Sequence, residues 1–416
     1  MGNTSRKIAR HALWHATASA LVLGLATASS AATIKIGLLA PLTGSASADG
    51  QEFKRGAELA VEEINAAGGI NGDTFEVVVA DVKDQSAGSV TSAVERLLGD
   101  PDVHFVLTGY ASLTNFEIDL MAEAEMPYML AGSSQAAREI IAADPAKYDC
   151  CWSFTPSYDA YNTGVSSFVE GLIDEKAMTA KSKLVAVISS DNSYSKTIAE
   201  GMKANFSSKG WKVVVDETVP FGEVNDWSGV LAQIRTSSPD VVINTDYQTA
   251  NAASFLNQFL EGPTDSLLFL QYAPSVPEFT ELTGAKSNGV IYNMLVGSVT
   301  SPKNPRAEEV SQKFKKKYGA DSGAYGATLY EMTNIYFDAV RQAGSVDDHA
   351  AIMKALGETD KKTSSGRIKF DPATHLATQG DDFIPLTFYQ IWDGNRHLIA
   401  PNTYAVDKFR PQPWMK

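Results

Sequence analysis

Apolar positions along this chain follow two alternating rhythms. "TIKIGLLAPL" (33–42) is a short, nearly continuous apolar run, as expected of a strand buried on both faces. Phe53, Ala57, Ala60, Val61 and Ile64 then recur at helical spacing, and Gly68 and Gly69 stop that helix. "FEVVVAD" (75–81) is the next strand, and Val90, Ala93, Val94, Leu97 and Leu98 mark a second amphipathic helix. "HFVLTG" (104–109) and "MPYMLAG" (126–132) are further strands. The same rhythm restarts after about residue 155, with strands at "KLVAVISS" (183–190), "WKVVVDETV" (211–219), "DVVINTD" (240–246), "SLLFLQY" (266–272) and "GVIYNMLV" (289–296). Ile198, Met202 and Phe206 mark one helix between them, and Trp227, Val230, Leu231 and Ile234 another. Strands alternating with helices predict parallel sheets covered on both faces, here in two α/β units of similar size. The last third adds helices over "AEEVSQKFKKKYG" (307–319) and "YGATLYEMTNIYFDAVRQAG" (325–344), late strands at "SGRIKF" (365–370) and "PLTFYQIW" (385–392), and a tail from Pro401 expected to wrap one unit.

Composition narrows the possibilities. At 416 residues the chain has room for two or three domains. A formal charge of −14 argues against a nucleic-acid partner, because phosphate recognition needs clustered Lys and Arg. The start has its own character. Arg6, Lys7 and Arg10 precede an apolar stretch from Ala12 to about Ala28, and "SSAA" places Ser30 and Ala32 where a signal peptidase reads. Residues 1–32 are therefore expected to be a cleaved signal peptide, with the product in the periplasm. Its removal takes three positive charges and brings the net charge from −14 to about −17. Cys150 and Cys151 are the only cysteines. Export permits a disulfide, but adjacent Cα atoms sit closer than a relaxed bridge prefers, so two buried thiols are expected.

In an open parallel sheet, ligands bind beyond the carboxyl ends of the strands. Those ends carry Ser, Thr, Tyr and Asp and few cations: Tyr110, Ser112, Ser133, Ser134, Tyr194, Tyr247 and Tyr272 stand there. Hydroxyls and free N–H groups at helix starts suit a small oxygen-bearing guest, and tyrosines suit closing over it. The serines serve equally well as plain helix caps. Enzymatic motifs are missing: there is no H-E-x-x-H, no G-x-S-x-G and no phosphate loop. The four histidines beyond residue 32 are scattered, without metal-ligand spacing. Neither a catalytic residue, a metal nor a cofactor is expected.

The segment "IKIGLLAPLTGSASADGQEFKRGAELAVEEINAAGGINGDTFEVVVAD" resembles the start of periplasmic solute-binding proteins of the leucine/isoleucine/valine-binding type. "SSDNSYSKTIAEGM" and "DWSGVLAQIRTSSPDVVINTDY" continue the likeness. The resemblance implies the type I periplasmic binding fold: two Rossmann-like lobes with parallel central sheets, joined by three crossover segments. It implies lobe 1 at 33–154 and 297–370, and lobe 2 at 155–296 and 371–416. It implies a non-enzymatic, monomeric receptor that holds a small polar solute, such as a branched-chain amino acid, and delivers it to the membrane permease of an ABC importer. A short amide, urea or an aromatic acid as ligand, or a sensing role, are the alternatives. Ser112, Ser133 and Ser134 match positions that hold the amino-acid head group. Tyr194 and Tyr247 match closing residues of the second lobe, and Tyr325 matches an aromatic beside the cleft. Asp159 matches a polar cleft position, with Tyr158 its rival. In two places the chain departs from the pattern. Where amino-acid binders carry a glutamate, this chain reads Gln271, Tyr272 and Ala273; where they often carry an aromatic, it has Asp49. Either the acid has moved to Asp49, or the ligand lacks an α-amino group, or Asp49 is a solvated loop residue.

Overall fold

In the computed structural model, residues 1–2, 32–132 and 135–416 are described. The expected signal peptide therefore lies almost wholly outside the described residues, as do Ser133 and Ser134. Ala32–Lys416 form one unit.

The first run of elements is β1 (Thr33–Ala40), α1 (Ser47–Ala66), β2 (Thr74–Asp81), α2 (Ala87–Leu98), β3 (Val103–Thr108), α3 (Glu117–Glu123), β4 (Tyr128–Leu130), α4 (Gln135–Ala143) and β5 (Cys151–Ser153). Its five strands pair in parallel in the order β2-β1-β3-β4-β5. The second run is α5 (Asp159–Asp174), β6 (Leu184–Ser190), α6 (Ser193–Ser208), β7 (Lys212–Val219), α7 (Ser228–Ser237), β8 (Val241–Asn244), α8 (Thr249–Phe259), β9 (Leu267–Leu270), α9 (Pro277–Thr283) and β10 (Ile291–Met294). The chain then supplies α10 (Pro305–Tyr318), α11 (Ala324–Ala343), α12 (His349–Gly357) and the hairpin of β11 (Asp360–Thr363) and β12 (Gly366–Lys369). It ends with β13 (Thr387–Trp392) and β14 (Asn395–Ala400). The second sheet runs β14-β13-β10-β9-β8-β6-β7. Its β13 runs antiparallel to both neighbours, β10 and β14, so this sheet is mixed where the sequence pattern suggested a purely parallel one. Two lobes result, each built on one sheet, and the chain passes between them three times. Residues 370–384 fold back along the first lobe, with Leu376 bridging to Ser153 of β5.

The helical periodicities are the buried faces. Phe53, Ala57, Ala60, Val61 and Ile64 of α1 are buried in one cluster with Leu329, Met332, Tyr336 and Val340 of α11. The two helices touch at glycines: a Cβ on Gly56 would lie 2.1 Å from the Gly326 carbonyl oxygen. Beside that contact Glu52 of α1 accepts the Gly323 N–H at 2.7 Å, taking an otherwise free donor at the start of α11. This fixes the first turn of α11, which carries Tyr325.

The tail closes onto the second lobe. The Gln412 side chain accepts from the Leu268 N–H at 2.6 Å and donates to the Leu268 and Gly289 carbonyls at 2.8 and 2.9 Å. It thereby fills the place of missing strand partners between β9 and β10, which pair only at Phe269 and Ile291. Cys150 and Cys151 are both free and buried.

Candidate functional site

In both sheets the strand order reverses at one place, between β1 and β3 in the first and between β6 and β8 in the second. Loops diverge at such a switch point and leave a crevice. The segments following these strands carry Tyr110 and Ser112 after β3, Tyr194 after β6, in the first turn of α6, and Tyr247 after β8. All four line one cavity, with about 550 Å³ of empty space, shared by the two lobes. Gly132, after β4, and Tyr272, after β9, also line it, as does Tyr325 at the start of α11. Tyr158 and Tyr161 come from the first crossing and the first turn of α5. Seven of the chain's fifteen tyrosines thus converge on one space.

Most of their rings meet edge to face, with Tyr158 and Tyr161 stacked at 28°. Tyr158 and Tyr194 are 5.1 Å apart at 88°, Tyr194 and Tyr247 5.5 Å at 83°, and Tyr110 and Tyr325 5.5 Å at 71°. The series passes between lobes where Tyr247 meets Tyr110 at 6.2 Å and where Tyr325 meets Tyr272 at 5.8 Å. Burial pushes the hydroxyls of Tyr110, Tyr194, Tyr272 and Tyr325 well above the ordinary tyrosine range, so they stay protonated and able to donate.

Asp49 lies behind this wall and does not line the cavity. It sits in the first turn of α1, only 6 % exposed. Tyr110 donates to its Oδ2 at 2.6 Å and Tyr272 to its Oδ1 at 2.7 Å. One carboxylate in the first lobe therefore holds a tyrosine of each lobe. Burial raises its pKa to about 6, against the opposing pull of the two hydroxyls. The Tyr272 backbone is itself forced into place: its φ is +60° and ψ −55°, and the Ala273 N–H donates to the Gln271 carbonyl at 2.6 Å. This is a three-residue γ-turn of the rare, strained kind, which a non-glycine residue adopts only under constraint. Two further hydrogen bonds cross the cleft. Gln85 donates to the Tyr247 hydroxyl at 3.4 Å, and the Ser193 hydroxyl donates to the Leu113 carbonyl.

Ser112 lines the cavity but caps no helix. Its hydroxyl donates to Glu117, a carboxyl with no exposed surface that also accepts from Tyr128 at 3.3 Å; burial raises its pKa. Asp159 stands apart from the main cavity, in a neighbouring recess where it accepts from Ser157 at 2.8 Å and pairs with Arg138. Tyr158, its rival in the sequence reading, borders both spaces.

Sequence reasoning missed Gln85, Leu113, Asn115, Tyr161 and Val296 as lining residues. Gln85 and Asn115 stand in left-handed backbone, at φ +62° and +56°, a mark of tight loops that composition alone does not single out. Tyr161 lies three positions after Tyr158 and so shares its helix face, a cue the sequence did offer.

A family model described as periplasmic binding protein matches residues 33–394. This chain belongs to the periplasmic binding protein family. Among curated relatives of this periplasmic binding protein, a "Leu/Ile/Val-binding protein homolog 3" of Brucella melitensis is 27% identical, over 89% of this chain and 95% of its own length. A Silicibacter pomeroyi structure provisionally assigned to branched-chain amino acid ABC transport is 30% identical, with a TM-score of 0.81 over 92% of this chain and 100% of its own. A Streptococcus pneumoniae LivJ structure in complex with isoleucine shares the fold at 22% identity and a TM-score of 0.72, covering 89% of this chain and 100% of its own. The fold expected from the sequence, two Rossmann-like lobes joined by three crossings, agrees with these likenesses.

Proposed function

We propose that this periplasmic binding protein captures a solute of amino-acid size between its lobes and presents the closed form to the permease of an ABC importer. The observation that carries this reading is the shared cavity at both switch points, with hydrogen bonds spanning it from Asp49, Gln85 and Ser193. Closure would form around the guest, with hinge movement at the three crossings: 154–158, 295–304 and the stretch after about residue 384. Relatives named for leucine, isoleucine and valine supply the ligand class by analogy. Ser133 and Ser134, at the entry to α4, are proposed to take the ligand's carboxylate, and Ser112, whose proton goes to Glu117, to accept from the ligand's ammonium. Tyr110, Tyr158, Tyr194, Tyr247, Tyr272 and Tyr325 are proposed to enclose the remainder. In this reading the protein works as a monomer in the periplasm and leaves its guest chemically unchanged, as expected of a solute receptor of this family.

The test is a thermal-shift screen of mature protein against branched-chain amino acids, short amides, urea, aromatic acids and small betaines. A true ligand at a hundredfold its Kd adds about 2.7 kcal/mol of stability. If no member of this panel raises Tm, the amino-acid-like reading falls.

A further inference from the structure

The charge around the cleft is one-sided. None of the described lining residues is Lys, Arg or His. Three buried carboxyl groups stand directly behind the wall. Asp49 holds Tyr110 and Tyr272, Glu117 holds Ser112, and Asp246 adjoins Tyr247 and accepts from the Gln248 N–H at 3.0 Å and from Asn251 at 2.7 Å. No ion pair among the described residues reaches any of the three; Asp49 and Asp246 are 6 % and 1 % exposed. A buried acid without a counter-cation is kept by hydrogen bonds and by a raised pKa, and a positive group brought to it relieves the remaining cost of its charge. In front of them the wall is made of seven tyrosine rings. Two of these donate their hydroxyls to a carboxylate, which enriches the ring in electrons. Aromatic faces attract organic cations, most strongly when water is excluded.

We infer that the cleft is selective for a ligand bearing a positive, alkylated ammonium group, with the cationic end inside the tyrosine wall and the buried acids behind it. This deepens the proposed function and rests on it: the same cavity is occupied, and its guest belongs to the zwitterionic or cationic ammonium compounds rather than to neutral amides, urea or simple carboxylic acids. A lone anion would meet three acids and no cation. An aliphatic side chain would fill the same space but leave the acids unmatched.

The test compares two molecules of one shape. Glycine betaine carries a trimethylammonium head; 3,3-dimethylbutanoate carries a tert-butyl group in its place. Calorimetric titration of the mature protein with each, and with leucine as a third arm, separates the cases. The expected result is glycine betaine binding at least about tenfold tighter than its carbon counterpart. Equal or tighter binding of the tert-butyl compound overturns the inference and marks an apolar box. Leucine binding without glycine betaine binding also overturns it, while the solute-receptor reading survives. If none of these and no member of the wider panel binds, the receptor reading itself has failed and this inference goes with it. Tyr158→Leu and Tyr158→Phe extend the test, with Tm checked first. The phenyl ring should keep most of the preference for glycine betaine, and leucine should lower it about fivefold or more. An unchanged ratio in Tyr158→Leu counts against the tyrosine wall as its source.

Discussion

Asp49 shows how a single side chain can be visible in sequence and misread in role. Its position after β1 marked it as a cleft residue, and an acid where relatives often carry an aromatic suggested a ligand contact or a solvated loop. The structure turns its carboxylate away from the cavity and onto two tyrosine hydroxyls. Those partners are 61 and 223 residues distant in the chain, so no local pattern could reveal them. Burial lifts its pKa from 3.8 to about 6, so the folded protein binds this proton more tightly than the unfolded chain does. Stability contributed here is therefore greatest below about pH 4 and is lost as pH rises through about 6, by an amount of order 3 kcal/mol. Asp246, also raised to about 6, acts in the same direction and remains in any Asp49 variant. Asp49→Asn should flatten the dependence by its own share. In urea unfolding at about pH 4.5 and pH 7, wild-type stability should fall relative to the variant as pH rises; parallel curves would show that Asp49 titrates normally.

At the level of elements, periodicity recovered most of the strands and helices because each buries a full face. The residues spaced along α1, α2 and α6 are largely those found in the core. What escaped included short or partly exposed elements, and also α5 and α8, whose buried faces are interrupted by polar residues such as Ser166 and Asn251. β5 has three residues, and β14 is a partly exposed edge strand reading NRHLIA. The hairpin joining β13 to β14 did have a cue in Asp393-Gly394. Both residues have positive φ, +50° and +73°, as a two-residue turn of this kind demands. The antiparallel edge of the second sheet follows from that turn. Helix packing carries a sharper consequence. Because a Cβ at Gly56 would meet backbone of α11 at 2.1 Å, no rotamer change can relieve it. Gly56→Ala should destabilise the protein by about 1–3 kcal/mol and loosen the start of α11, where Tyr325 stands. A denaturation midpoint equal to wild type would mean that the helices part without penalty.

For the molecule as a whole, the two lobes are tied across the cleft by few, specific contacts, and the Tyr272 hydroxyl on Asp49 is the most buried of them. A hydrogen bond to an ionised partner contributes about 1.5–3 kcal/mol, and this one exists only when the lobes are together. Tyr272→Phe should therefore weaken binding of the best ligand from the screen on the order of 10- to 100-fold, with the Tm of the ligand-free protein little changed. Small-angle scattering at saturating wild-type ligand concentration should show the variant more extended. Undiminished affinity would remove this contact from the closing step. The row of tyrosines that links the halves has an optical consequence as well. Neighbouring rings at 5–6 Å and steep mutual angles couple their electronic transitions, and two links of that row form only between different lobes. Opening the halves uncouples them, so near-ultraviolet circular dichroism reads occupancy in unlabelled protein, with the guest's arrival written into the chromophores that surround it.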